Sequence, residues 1–226
     1  MFRVYCVLIG YALGHLQASY ILARMIKKID IREHGTKNAG ATNSLKVLGP
    51  RFAIPILIID VMKSCVAFAI CAAVFGGLGA FVDFSDSATL EAVIQNPWLP
   101  GVYGSLGAIL GHMFPVYMRF RGGKGTACCV GMAFSMHVLL GGAMILIAAM
   151  TVLVTRYVSA SALVSLATLP VIIALFDNWN PDPRWGLEVI GAGYFVAVFL
   201  TIKHKKNIRE LLNGIESRIG RKAKHT

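Results

Sequence analysis

Cys128-Cys-Val-Gly-Met-Ala-Phe-Ser-Met-His-Val-Leu-Leu-Gly-Gly-Ala-Met-Ile-Leu-Ile-Ala-Ala-Met-Thr-Val-Leu-Val154 is a 27-residue run without Asp, Glu, Lys or Arg. At 1.5 Å of helical rise per residue it exceeds what one crossing of a hydrocarbon core of about 30 Å requires. The pair Gly141-Gly142 interrupts its centre. Whether the run crosses once or folds back decides the topology of the chain.

Working outward, five further segments are nearly free of charge: 4–23, 52–76, 101–118, 158–176 and 186–202. Most are long enough to cross a bilayer. The chain of 226 residues is 56% hydrophobic and only 15% charged, below the quarter usual in soluble domains. The first segment runs into Arg24, Lys27 and Lys28 without a small-residue cleavage site, so it reads as a span rather than a signal peptide. The expected fold is an all-α integral membrane protein: one membrane-embedded domain over residues 1–226, ending in a basic amphipathic tail over 203–226.

Charge distribution orients it. Loop 24–51 carries seven Lys and Arg, 119–124 carries three, and the tail from Lys203 carries eight. Loop 77–99 carries none, but holds Asp83, Asp86 and Glu91. The positive-inside bias therefore places the three basic stretches in the cytoplasm and 77–99 outside. Between Lys124 and Lys203, both cytoplasmic, the crossings must be even in number. Segments 128–154, 158–176 and 186–202 supply three, so 128–154 is expected to be a hairpin of two short helices turning at Gly141-Gly142. The expectation is then about seven transmembrane helices, N-terminus outside and C-terminus cytoplasmic, with Arg156, Tyr157, Ser159 and Ser161 returned to the cytoplasmic side. Basic residues on membrane-flanking loops, with no soluble basic face, argue against nucleic acid as partner.

The cytoplasmic stretches carry the chemistry. In Gly35-Thr-Lys-Asn-Ala-Gly-Ala-Thr-Asn43, glycines permit a nest of backbone N–H groups around an anion, and Thr36, Asn38, Thr42 and Asn43 add side-chain donors. Lys46 follows one helical turn later. An ordinary capped connector explains the same residues. Gly122-Gly123-Lys124-Gly125 leads into an apolar segment, which favours phosphate at a helix start. It is not a Walker A loop, since Gly125 stands where Ser or Thr must hold magnesium. His112 and Pro115 fit a structural or a functional role.

In the tail, Ile208, Leu211, Leu212, Ile215 and Ile219 share a helical face suited to an anionic membrane surface, while His204 and Asn207 share a side at the exit of the last span. Asp60 and Lys63, three apart in an apolar span, read as an internal ion pair supporting the loops. His15 and Gln17 are expected to face the bundle. The five cysteines (Cys6, Cys65, Cys71, Cys128, Cys129) read as small buried hydrophobes, with no metal-ligand spacing.

No histidine has an acid five residues on, no Gly-x-Ser-x-Gly elbow is present, and no paired acidic cluster offers a magnesium site. Positioning and electrostatic stabilisation of phosphorylated partners remain. A transporter or flippase for phosphorylated metabolites or lipids is the alternative, but no inverted repeat is evident and the polar residues gather at one end.

Read together, Gly35–Asn43, Asp60-Val-Met-Lys63, Gly111-His-Met-Phe-Pro115 with Gly122-Gly-Lys-Gly125, Arg156-Tyr-Val-Ser159, and His204 with Asn207-Ile208 resemble the bacterial acyl-phosphate:glycerol-3-phosphate acyltransferase family, in order along nearly the whole chain. The resemblance implies seven spans in the bacterial plasma (inner) membrane with the active site facing the cytoplasm. It implies transfer of a fatty acyl group from acyl phosphate to the 1-hydroxyl of glycerol 3-phosphate, giving lysophosphatidic acid and phosphate for phospholipid synthesis. No cofactor, metal or covalent intermediate is implied.

Thr36, Asn38, Thr42, Lys46 and Lys124 would bind the phosphates, with Asn43, Gly122, Gly123, Ser159 and Ser161 also in the substrate site. His204 and Asn207 would orient glycerol 3-phosphate. The chain departs from the family pattern at four places. Gly14-His15-Leu16-Gln17 replaces a Gly-Ser-Ile-Pro-like stretch, Thr36 and Lys37 replace Ser and Gly, and Lys46 replaces Arg. The family's second serine falls on Ala162, beside Ser161. A divergent member with another phosphorylated acceptor is therefore a further reading.

Overall fold

The computed structural model describes residues 1–77, 96, 98–179 and 186–218. Among them are ten α-helices. α1 (Phe2–Gly14) and α2 (Ala18–Lys27) divide the first apolar segment, and α3 (Ala41–Val47) lies in the loop after it. α4 (Pro50–Cys71) runs into a wide π turn, Ala72–Gly77. α5 (Leu99–Met113), α6 (Thr126–Met136), α7 (Val138–Thr155), α8 (Val158–Trp179) and α9 (Gly186–Lys203) follow, and α10 (Lys205–Leu212) opens the tail. Five stretches among the described residues are long and apolar enough to cross a membrane: Phe2–Lys27, Pro50–Gly76, Val138–Thr155, Val158–Asn178 and Gly186–Lys203. α5 and α6 are shorter, at 15 and 11 residues. The loop bearing Asp83, Asp86 and Glu91 lies outside the described residues, as does Ile219.

Glycines bring the inner helices together. A Cβ on Gly10 would land on the Gly104 carbonyl, one on Gly14 on the Ala108 carbonyl, one on Gly107 on the Val7 carbonyl, and one on Gly111 on the Tyr11 carbonyl. Contacts that advance along both chains together make α1 and α5 parallel neighbours at backbone-to-backbone distance. Small residues give membrane helices their van der Waals contact, because lipid tails supply no hydrophobic drive for one helix to join another. On the other side of α5, Ser105 Oγ donates to the Ser64 carbonyl at 3.2 Å, binding it to α4. Four of the cysteines (Cys6, Cys71, Cys128 and Cys129) are buried among these helices as small apolar side chains. The lipid side is equally clear on α7, where only Leu140, Gly141 and Met144 are buried.

The run 128–154 does divide into two helices, but at His137 and not at Gly141-Gly142. His137 is extended (φ −162, ψ 136), and its Nδ1 accepts from the Leu139 N–H at 3.2 Å, capping α7. This satisfies an amide that a new helix start would otherwise orphan. Gly141 lies inside α7, and the Phe134 ring packs where its side chain would be. The tail is also corrected. Its helix stops at Leu212, and Gly214 (φ +67) turns the chain back, with the Ile215 and Glu216 amides both donating to the Glu210 carbonyl. A left-handed turn after a helix is where glycine is favoured, so the apolar stripe expected to continue through Ile215 is broken.

Loop 24–51, loop 119–124, the Arg156-Tyr157 turn and the tail meet at one end of the bundle. Lys124 reaches Asn207, Lys46 reaches Ser217, and Arg218 reaches Tyr157. At the opposite end Arg3 makes a two-pronged ion pair with Glu188 at 2.6 and 2.9 Å, and the Tyr103 hydroxyl donates to the same carboxylate at 2.6 Å. That latch between α1, α5 and α9 had no signal in sequence, since its members are distant in the chain.

Candidate active site

Asn43 organises the first loop. Its Nδ2 donates to the carbonyls of Ile31 (2.8 Å), His34 (3.0 Å) and Asn38 (2.9 Å), and its Oδ1 accepts from the Thr36 N–H at 2.7 Å. At 1% exposure it shapes the loop from within, leaving Thr42 exposed and Thr36 and Asn38 half-buried. Gly35 and Lys37 are both left-handed (φ 58 each). For glycine this costs nothing, whereas a lysine pays a steric penalty. The loop rests on a small apolar core of Ala23, Ile31, Ala39 and Met118. Asp30 holds Arg32 in a two-pronged ion pair and is itself held below the usual carboxylate range by it; Arg32 in turn donates to the Met118 carbonyl at 2.8 Å.

Arg119 and Phe120 are also left-handed, and they reverse the chain so that the second loop returns to His112. The Gly123 N–H donates to the His112 carbonyl at 3.0 Å, and the Gly122 N–H to that of Met113 at 3.1 Å. A Cβ on Gly123 would strike His112 Nε2, and one on Gly122 the His112 carbonyl. These two glycines therefore serve close packing, and their amides are committed within the protein. This differs from the expectation that the amides of this loop meet phosphate at a helix start. What the loop presents is the Lys124 side chain.

Beneath lies a buried polar group that joins residues noted separately in the sequence. Lys63 Nζ donates to Asp60 Oδ1 (2.9 Å), to the Leu16 carbonyl (2.9 Å) and to His112 Nδ1 (2.6 Å). All three ammonium protons are thereby matched. The Leu16 carbonyl is free for this because the first span breaks between α1 and α2, even without proline in Gly14-His15-Leu16-Gln17. Gln17 Nε2 donates to the His112 carbonyl at 2.9 Å, and His15 Nε2 accepts from the Val116 N–H at 3.1 Å. The Asp60–Lys63 pair is thus internal, as expected, and His112 transmits its hold to the loop carrying Lys124.

Lys124 Nζ donates to Asn207 Oδ1 at 2.6 Å. Burial lowers the Lys124 pKa, the carboxylates of Glu216 and Glu210 oppose this, and the nearby Lys206 and Lys46 ammonium groups add to it. His204 is 2% exposed, and its Nδ1 lies 2.8 Å from the Leu200 carbonyl. That partner makes Nδ1 the protonated nitrogen and leaves Nε2 as an acceptor. Burial drives the His204 pKa down to about 4, with Lys124 contributing, so the ring is neutral at pH 7. Lys46 donates to Ser217 Oγ at 2.5 Å.

At the start of α8, Ser159 Oγ is buried without a partner, whereas Ser161 Oγ donates to the Val158 carbonyl at 2.8 Å. The Ser161 proton is thereby committed to its own helix, next to Ala162. Glu216, Ser217 and Arg218, which touch Asn207, Lys46 and Tyr157, had no motif to mark them.

The described residues form a helical membrane bundle that gathers lysines, a histidine and an asparagine at one end, a set of cationic and hydrogen-bonding groups suited to an anion. Residues 4–214 match the family model described as glycerol-3-phosphate acyltransferase. Curated relatives of that name include one from Brucella canis, 38% identical over 96% of this chain and 92% of its own. Another, from Halalkalibacterium halodurans, is 34% identical over 96% and 95%. The crystal structure of PlsY (YgiH), an integral membrane glycerol 3-phosphate acyltransferase, in its glycerol 3-phosphate form, superimposes with TM-score 0.79 at 25% identity, covering 96% of each chain. The chain belongs to the glycerol-3-phosphate acyltransferase family and is an acyltransferase.

Proposed function

We propose that this enzyme transfers a fatty acyl group from fatty acyl phosphate to the 1-hydroxyl of glycerol 3-phosphate, releasing lysophosphatidic acid and inorganic phosphate. The observation that carries this reading is the meeting of Lys46, Lys124, His204 and Asn207, from three separate segments, at one end of the bundle. Acyl phosphate is a mixed anhydride with phosphate as a good leaving group, so position and charge suffice.

In this mechanism Thr36, Asn38, Thr42 and Lys46 bind phosphate, and Asn43 holds their loop in shape. Neutral His204 accepts a hydrogen bond from glycerol 3-phosphate through Nε2, and Asn207 completes its orientation. A group with pKa about 4 is too weak a base to remove an alcohol proton at pH 7, so His204 positions the nucleophile. The hydroxyl oxygen attacks the acyl carbonyl, the carbon–oxygen bond to phosphate breaks, and a phosphate oxygen receives the hydroxyl proton. Lys124 stabilises the departing phosphate. The Ser159 hydroxyl, buried and without a hydrogen-bond partner, is a further donor available to substrate in this reading.

Seven crossings follow if α1–α2 count as one and α4 to α9 as one each. The basic end is then cytoplasmic in a bacterial plasma membrane and the N-terminus is outside. The reading is tested with purified protein in lipid, acyl phosphate and labelled glycerol 3-phosphate, without CoA or added metal. Lysophosphatidic acid should form, and Lys124→Ala should lose at least 100-fold in kcat/KM, about 3 kcal/mol, while remaining folded. Product from acyl-CoA alone would overturn the donor assignment.

A further inference from the structure

The cationic groups assigned to phosphate already have partners within the chain. Ser217 Oγ takes Lys46, and Glu216 Oε1 lies 3.5 Å from Asn207 Nδ2, the amide whose other atom holds Lys124. The second Glu216 oxygen is buried without a hydrogen-bond partner. Three features seat this segment. Gly214 turns the chain back, two amides close the turn on the Glu210 carbonyl, and Arg218 clamps Tyr157, its guanidinium 5.1 Å from the ring centroid and its Nε donating to the hydroxyl at 2.9 Å. Residues 215–218 also lie just past the stretch 4–214 that matches the family model.

We propose that Ile215–Arg218 is a built-in competitor for the anion site, a strap whose carboxylate and hydroxyl occupy Asn207 and Lys46 until a substrate phosphate displaces them. The assignment rests on the phosphate-binding role given above to Lys46, Lys124 and Asn207. The charge logic supports it. A carboxylate near Lys124, Lys46 and Lys206 supplies part of the negative charge that a phosphate supplies in full, and a phosphate brings more oxygens to the same donors. The contacts of the strap are few and half-exposed, so exchange is reversible. The apparent Kd for phosphate is the intrinsic Kd divided by the fraction of molecules with the strap open, so a closed strap weakens binding.

The test uses the full-length protein in lipid nanodiscs and two point-variant forms, Glu216→Gln/Ser217→Ala and Arg218→Ala. Neither replaces a residue assigned to catalysis or to phosphate binding. Both should lower KM for glycerol 3-phosphate by roughly three- to ten-fold, with kcat unchanged or raised. A raised KM or a reduced kcat would show that the segment completes the site, and an unaltered KM would show that it does not compete; either overturns the strap. Independently of turnover, saturating inorganic phosphate should speed amide hydrogen exchange at 215–218 in the unmodified protein. Slower or unchanged exchange there would also overturn it. Absence of acyl transfer in the unmodified protein, with exchange still accelerated by phosphate, would instead count against the proposed reaction.

Discussion

Lys37 shows how a single departure from a family pattern acquires physical meaning. Its φ of 58 lies in the left-handed region, where a β-carbon crowds its own backbone, and the family pattern has glycine there. Lys37→Gly should raise stability by about 0.5–1 kcal/mol, read as a thermal midpoint about 2 °C higher in detergent. An unchanged or lower midpoint would mean that the lysine side chain contributes more than the strain costs.

His204 carries the second prediction at this scale. Its folded pKa of about 4 lies below the ordinary histidine value near 6.5. Above pH 6.5 neither the folded nor the unfolded chain holds a proton there. Between about 6.5 and 4 only the unfolded chain takes one up, so this group lowers stability as pH falls through that window. Activity should therefore show no His204 inflection between pH 6 and 7. Following the His204 ring by NMR across that range checks the assignment, and a midpoint near 6.5 would refute it.

Helix pairing rests on absent side chains. Along the α1–α5 seam the obstacle to any larger residue is a neighbouring backbone carbonyl, which cannot swing aside as a flexible side chain can. Gly107→Val should leave little monodisperse protein on gel filtration after detergent extraction. Gly142→Ala is the matched control, because a Cβ there meets open space and alanine favours a helix interior by up to about 1 kcal/mol. Equal yields from the two would remove the seam from the account. The break at His137 belongs to the same scale. A side-chain cap and an extended backbone end one helix and start another, while a glycine pair four residues on passes unbroken through α7.

The whole molecule is polarised, with its basic loops at one end and the Arg3–Glu188–Tyr103 latch at the other. A positive-inside orientation makes this sidedness measurable. Leu187→Cys, at a position 88% exposed near the latch, should react with an impermeant thiol reagent on intact cells. Ile215→Cys, at a position 71% exposed beside the basic end, should react only after permeabilisation. The reverse pattern would invert the topology and move the active site outside.

Long uncharged runs and uneven lysine and arginine counts were enough to establish an all-helical membrane protein with its polar loops at one end. Burying bare backbone in lipid is so costly that composition leaves the chain few alternatives. The order of motifs named Lys124, His204, Asn207 and the first loop as candidates for one site, and the fold brings Lys124 to Asn207 at the end of the bundle where that loop lies. Tertiary structure alone decided which of those groups are committed to partners inside the protein. Asn43 and the amides of Gly122 and Gly123 turned inward, Ser161 bonded to its own helix, and Lys63 joined Leu16 to His112 beneath the loop. It also decided that the tail folds back on the lysines. Residue type and spacing reveal which donors and acceptors a chain carries. Their partners depend on which distant backbone atoms packing brings within about 3 Å, and no local pattern encodes that.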